Sequence, residues 1–163
     1  MDKTNAMRLL EKHGIAYDAV PYRYDEADLS VARIAALNDL PEARIFKTLV
    51  VRGDKSGPVL AVIPGDASLS FKKLAQASGN RKMRMAPPDE LPALTGYVRG
   101  GCSPLGTRRA LPVFIDAAAL DHPRIYVNGG RKGLLLHLAP DALIRLTGAT
   151  VAPIVSPSPK NHP

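Results

Sequence analysis

Two β-rich runs, Ile45-Phe46-Lys47-Thr48-Leu49-Val50-Val51 and Val59-Leu60-Ala61-Val62-Ile63, flank the turn-forming segment Gly53-Asp54-Lys55-Ser56-Gly57. Such a segment between two strand-like runs specifies an antiparallel hairpin. A hairpin as the strongest strand pair argues against a doubly wound sheet, whose strands are parallel and joined by helices. Strand alternation puts Phe46, Thr48 and Val50 on one face and Lys47, Leu49 and Val51 on the other. Lys47 therefore shares a face with apolar residues. Two roles are open to it at this point: a snorkelling lysine near a strand end, or a functional cation.

The remaining segments alternate between helix and strand. Residues 4–13 predict a short amphipathic helix with Thr4 as N-cap, Met7, Leu9 and Leu10 on its apolar face and Gly14 as its stop. Residues 15–22 predict a strand. Ser30 caps a second expected helix that ends near Asn38. Residues 70–78 predict a third, stopped by Gly79, with Lys72 and Lys73 on its outer side. Pro87-Pro88-Asp89-Glu90 starts a helix that Pro92 keeps short. Strands are expected at 112–115, 124–127 and 134–138. A last helix runs from Pro140 to about Thr147 and stops at Gly148. The expected fold class is mixed α/β (α+β): a single domain over residues 1–155, with a disordered tail over 156–163, where three prolines and little apolar surface lie.

Apolar residues make up 45% and charged residues 23% of the 163, so the chain can bury a core. Twenty-two Lys and Arg against 15 Asp and Glu give a formal charge of +7. That excess attracts polyanions over long range, or it is a solvated basic face without a specific partner. The single cysteine, Cys102, fits a reducing compartment. The first residues lack the apolar stretch of a signal peptide, and no run of about 18 apolar residues could cross a membrane. A cytoplasmic protein with no membrane partner is expected.

Several catalytic templates fail. His13, His122, His137 and His162 do not pair at metal-ligand spacing, so no metal site is expected. The phosphate loop G-x-x-x-x-G-K-[ST] is absent. Gly101-Cys102-Ser103-Pro104-Leu105 does not match a nucleophile elbow. No base stands near Cys102 in sequence, which favours a small buried residue over a nucleophile. Two glycine segments remain: Thr95-Gly96-Tyr97-Val98-Arg99-Gly100-Gly101-Cys102-Ser103-Pro104-Leu105-Gly106 and Asn128-Gly129-Gly130-Arg131-Lys132-Gly133. Either they are ordinary turns, or their free N–H groups form concave anion sites that backbone can approach closely.

Phe46-Lys47-Thr48-Leu49-Val50-Val51, Leu69-Ser70-Phe71-Lys72-Lys73-Leu74-Ala75, the first glycine segment, and Ile125-Tyr126-Val127-Asn128-Gly129-Gly130-Arg131-Lys132-Gly133-Leu134 together resemble the YbaK/EbsC family. Its members are free-standing relatives of the editing domain inserted in bacterial prolyl-tRNA synthetases. The resemblance runs from about residue 4 to 155. It implies a barrel-like mixed sheet with flanking helices and an aminoacyl-tRNA deacylase acting on Cys-tRNA(Pro), with Cys-tRNA(Cys) a further substrate. It also implies that Lys47 is the essential lysine holding the tRNA 3′ end, that Tyr22 lines the pocket, and that Gly101 and the Ser103-Pro104 turn face the aminoacyl ester. The candidate site is thus Lys47 and Gly101 as catalytic positions, with Tyr22, Phe46, Thr48, Gly100, Ser103, Pro104, Asn128, Gly129 and Gly130 around the substrate. Asn128, Leu135, His137 and Cys102 depart from the family pattern and bear on pocket polarity, hence on the preferred amino acid.

The resemblance further implies chemistry without cofactor or protein nucleophile: the substrate's own thiol attacks its ester, and the protein positions it and stabilises the oxyanion. The expected partners are the 3′ end of charged tRNA(Pro) and, transiently, prolyl-tRNA synthetase, with the chain a monomer or weak homodimer. The alternatives are removal of another small amino acid such as Ala from tRNA(Pro), and a non-catalytic module that binds tRNA ends.

Overall fold

A computed structural model describes residues 2–156. Thr4 caps α1 (Asn5–Lys12) by accepting from the Met7 N–H at 3.2 Å, and the helix buries Ala6, Met7 and Leu10. The following strand, β1 (Asp18–Pro21), is shorter than the expected 15–22. The Ile15 N–H still donates to the Leu10 carbonyl at 2.9 Å, so residues 13–15 finish the helix terminus. Ser30 caps α2 (Val31–Asn38) through the Arg33 N–H, and Asp39 in the left-handed region ends it.

The hairpin forms as expected. In it β2 (Phe46–Gly53) pairs antiparallel with β3 (Gly57–Pro64), in a register that sets Lys47 opposite Ile63 and Thr48 opposite Val62. Alternation splits the core: Phe46, Val50, Leu60 and Val62 enter one apolar cluster, and Val51, Val59, Ala61 and Ile63 enter a second. Helix α3 (Phe71–Ser78) has Ser70 as cap and Gly79 as stop, and it covers the second cluster with Leu74. Next come β4 (Met83–Met85), α4 (Leu91–Thr95), β5 (Val113–Asp116), β6 (Ile125–Asn128), β7 (Leu134–Leu138), α5 (Pro140–Thr147) and β8 (Thr150–Ala152). The expected helix near Pro87 is a 3-10 turn, Pro88–Glu90, running into α4, with Pro92 in its first turn.

The strands form two sheets. One has the order β4-β2-β3-β5-β8, with β3, β5 and β8 mutually parallel; the other has the order β1-β7-β6, all antiparallel. The expected barrel-like mixed sheet is thus an arrangement of two open sheets, barrel-like only loosely. The strand bridge between them is Ile45 to Tyr126, and no further ladder closes the circle among the described residues. The main core lies between them, where Ile125, Val127, Leu134, Leu136 and Leu138 meet Phe46, Val50, Leu60 and Val62. Each fully buried side chain of this size contributes roughly 1.5–3 kcal/mol.

One edge of β2 positions the site. Its Val50 carbonyl accepts from the Ala86 N–H at 3.0 Å, so by alternation Thr48 turns its backbone groups to that same edge. There β6 is bridged only to Ile45, the residue before β2, and β4 pairs only with Val51–Gly53. Between them, at Thr48, no strand ladder covers that edge among the described residues. The tail expected from Ser156 onward falls outside the described residues, apart from Ser156 itself, whose N–H donates to the Ser68 carbonyl.

Candidate active site

A cavity of about 420 Å³ opens at this gap in the edge of β2. Its walls come from four places: β2 (Lys47, Thr48, Leu49), the loop entering α2 (Asp28, Leu29, Ser30), the first glycine segment (Arg99, Gly100, Cys102), and the ends of β6 and β7 (Asn128, Leu135). Tyr22 forms part of the floor and is 8% exposed. Lys47 is half-buried and is part of this wall. The same cavity is lined by Leu49, Leu135 and Ile34, and beside such apolar walls a cation holds an anion more strongly than in water. Arg99 adds a second cation, and Asp28 is the one carboxylate of the wall. The Thr48 Oγ1 is buried and has no hydrogen-bond partner among the described residues.

Of the residues singled out in the sequence, Tyr22, Phe46, Lys47, Thr48, Gly100 and Asn128 line this cavity. Gly101, Ser103, Pro104, Gly129 and Gly130 stand behind the wall. A Cβ on Gly101 would lie 3.0 Å from Arg131 Cα and from the Lys132 nitrogen, so the two glycine segments pack backbone on backbone there. Ser103 is fully buried and accepts from the Leu105 N–H at 3.2 Å, which shapes its turn. Gly129 gives its carbonyl to the Thr4 hydroxyl at 2.5 Å, and Gly130 sits against Thr4 and Tyr97.

Asn128 ties the two segments together. Its Nδ2 donates to the Gly100 carbonyl at 3.0 Å and lies 3.4 Å from the Tyr22 hydroxyl, while its Oδ1 accepts from the Gly130 N–H at 2.7 Å. Burial raises the Tyr22 phenol above its ordinary range, so the group is neutral at physiological pH. Burial also pushes the Cys102 thiol up to about 11. A 7% exposed thiol that stays protonated is a wall and not a nucleophile.

Sequence reasoning missed Asp28, Leu29, Ser30 and Arg99 as wall residues. Ser30 was legible as a helix cap, but only tertiary packing brings the start of α2 against β2. A wider cleft of about 760 Å³, between the end of α1 and α5, is lined by His13, Arg124 and Arg145 and contains none of the candidate site residues.

The aminoacyl-tRNA editing domain family matches residues 26–146. A candidate Cys-tRNA(Pro)/Cys-tRNA(Cys) deacylase of Enterococcus faecalis, EbsC, is 44% identical over 154 residues, covering 94% of this chain and 94% of that protein. The proline–tRNA ligase of an Anaeromyxobacter species is 35% identical over 128 residues, which are 75% of this chain and 22% of the ligase. The crystal structure of a candidate trans-editing enzyme for prolyl-tRNA synthetase superposes with a TM-score of 0.79 at 28% identity, covering 96% of this chain and 99% of the other.

Proposed function

We propose that this chain, which belongs to the aminoacyl-tRNA editing domain family, frees tRNA(Pro) of mistakenly attached cysteine, working in trans. It is an aminoacyl-tRNA deacylase, a hydrolase of the ester that joins an amino acid to the terminal ribose. The observation that carries the assignment is the half-buried Lys47 in the wall of a 420 Å³ cavity that Asp28, Thr48, Arg99 and Asn128 also line.

In this mechanism Lys47 holds the terminal nucleotide by a phosphate or ribose oxygen, and Asp28 faces the α-ammonium of the amino acid. The Thr48 hydroxyl, buried without a partner, gains one when substrate enters; a buried polar group left unmatched otherwise costs about 1–3 kcal/mol. The substrate thiol sulfur then bonds to the ester carbonyl carbon and the C–O bond to ribose breaks. The thiol proton ends on the freed ribose hydroxyl, and water opens the resulting cyclic thioester to cysteine. The protein supplies orientation and charge stabilisation, and an already activated ester needs little more. The wall around the amino acid discriminates by size, a methylene being worth roughly 1–3 kcal/mol.

So small a domain has little surface for reading an anticodon. A transient complex with prolyl-tRNA synthetase would select the tRNA, with the cytoplasm as the place of action. Among the described residues no helix is long and apolar enough to cross a membrane. The test is deacylation across a panel of mischarged tRNAs. Cys-tRNA(Pro) is hydrolysed fastest if the assignment holds. Preference for Ala-tRNA(Pro) would transfer the site to another amino acid, and binding without release would leave a tRNA-end binding module. Cys102→Ala retains activity, because its thiol takes no part in the chemistry.

A further inference from the structure

The outer face of the three-stranded sheet continues the cavity wall. Its register places Val20, Leu135 and Asn128 in one cross-strand row and Asp18, His137 and Tyr126 in the next, about 7 Å further along the strands. The first row lines or borders the cavity. In the second row the rings of Tyr126 and His137 stack, with centroids 4.2 Å apart and planes at 15°. Both residues are half-buried and outside the main core; Tyr126 packs against the smaller cluster of Tyr22, Ile34, Ala35, Ile45 and Leu135.

Charged groups surround the pair. Arg44 precedes the Ile45 that bridges to Tyr126, and the charges of Arg44 and Arg124 both act on His137. Both arginines are exposed. Asp18, the one acidic neighbour, is paired with Arg124 at 2.9 Å. Burial first, and then Arg124, lowers the His137 pKa, so the imidazole is neutral at physiological pH and stacks as an uncharged ring.

We propose that the Tyr126–His137 pair is a stacking platform for the base that precedes the terminal adenosine of the tRNA 3′ end. This rests on the deacylase function assigned above. Single-stranded nucleic acid is held by aromatic side chains that stack on bases and by flanking cations that follow the phosphates. The pair supplies the first, Arg44 and Arg124 the second, and the strand spacing sets them one row from the wall that takes the terminal nucleoside. The chain thereby reads at least two nucleotides, and not the aminoacyl-adenosine alone.

The test compares kcat/KM for cysteinyl-adenosine with that for the cysteinyl-CCA trinucleotide. The wild type prefers the trinucleotide. Tyr126→Leu reduces that preference about tenfold, the size expected for one lost base stack, and Tyr126→Phe preserves it. An unchanged preference in a folded Tyr126→Leu protein overturns the platform. Should the leucine variant fail to fold, 2-aminopurine at the penultimate position of the trinucleotide reports on the wild type directly. Its fluorescence is quenched on binding if the base stacks, and unquenched fluorescence in the bound complex overturns the proposal. Failure of the wild type to cleave either ester defeats the deacylase assignment itself, a result distinct from loss of the preference.

Discussion

The two halves of β2 live in different surroundings. Val50 to Gly53 has β3 on one edge and β4 on the other, and Val50 and Val51 are buried in separate apolar clusters. Lys47 to Leu49 pairs with β3 on one edge and lines the cavity, and all three residues are half-buried. The same alternating pattern thus builds framework at one end and a site at the other. What separates them is the edge partner: where a neighbouring strand is missing, backbone and side-chain polar groups become available to a ligand.

Substitutions at the two ends put this contrast to work. Lys47→Ala should lower deacylation of Cys-tRNA(Pro) by about 100- to 1000-fold, the loss typical of one charge-stabilising group, and leave the denaturation midpoint close to wild type. Full activity would place the lysine outside the chemistry and erase the contrast. Val51→Ala should do the reverse, costing on the order of 2 kcal/mol in urea denaturation with kcat/KM at native temperature little changed. Thr48→Val is sharper, because it keeps the shape and removes only the unpartnered hydroxyl. It should raise stability by about 1 kcal/mol while weakening the substrate's hold, seen as a higher KM. Lower stability with unchanged KM would show that the hydroxyl serves the fold.

The smallest effect lies on the neighbouring sheet. His137 has a lowered pKa in the folded chain, so the unfolded chain binds that proton first as pH falls. Stability should therefore decline as pH drops below the ordinary imidazole range near 6.5, and His137→Gln should flatten that part of the profile. A profile of Tm against pH that is identical in the two proteins would remove the imidazole from the account.

Much of the framework was legible because short-range chemistry specifies it. The Gly53–Gly57 turn fixes the hairpin, Ser30 and Ser70 cap their helices, and Gly79 and Gly148 end theirs in the left-handed conformation. The apolar face of Lys47 followed from strand period alone. β4 and β8 were not legible: three residues each, Met83–Met85 and Thr150–Ala152, give a period of two nothing to repeat on, and both exist by pairing with strands distant in sequence. Sheet closure was equally hidden, since a single Ile45–Tyr126 bridge in place of a ladder depends on how the two sheets twist. Lys47, Tyr22 and Asn128, singled out in the sequence, line the cavity, while Asp28 and Arg99 join its wall only through folding. The tie that Asn128 makes from Gly100 to Gly130 spans segments almost thirty residues apart along the chain.

The close approach of Gly101 to Arg131 and Lys132 has a consequence for evolvability. A methyl at that seam would push the facing backbone back by a few tenths of an ångström, so the two glycine segments are coupled and a change in either is felt by the other. Natural drift or laboratory selection toward a new amino acid would meet a constrained position there. The rest of the cavity wall, at Leu29, Ile34 and Leu135, is made of side chains, so a change of amino-acid preference would begin there.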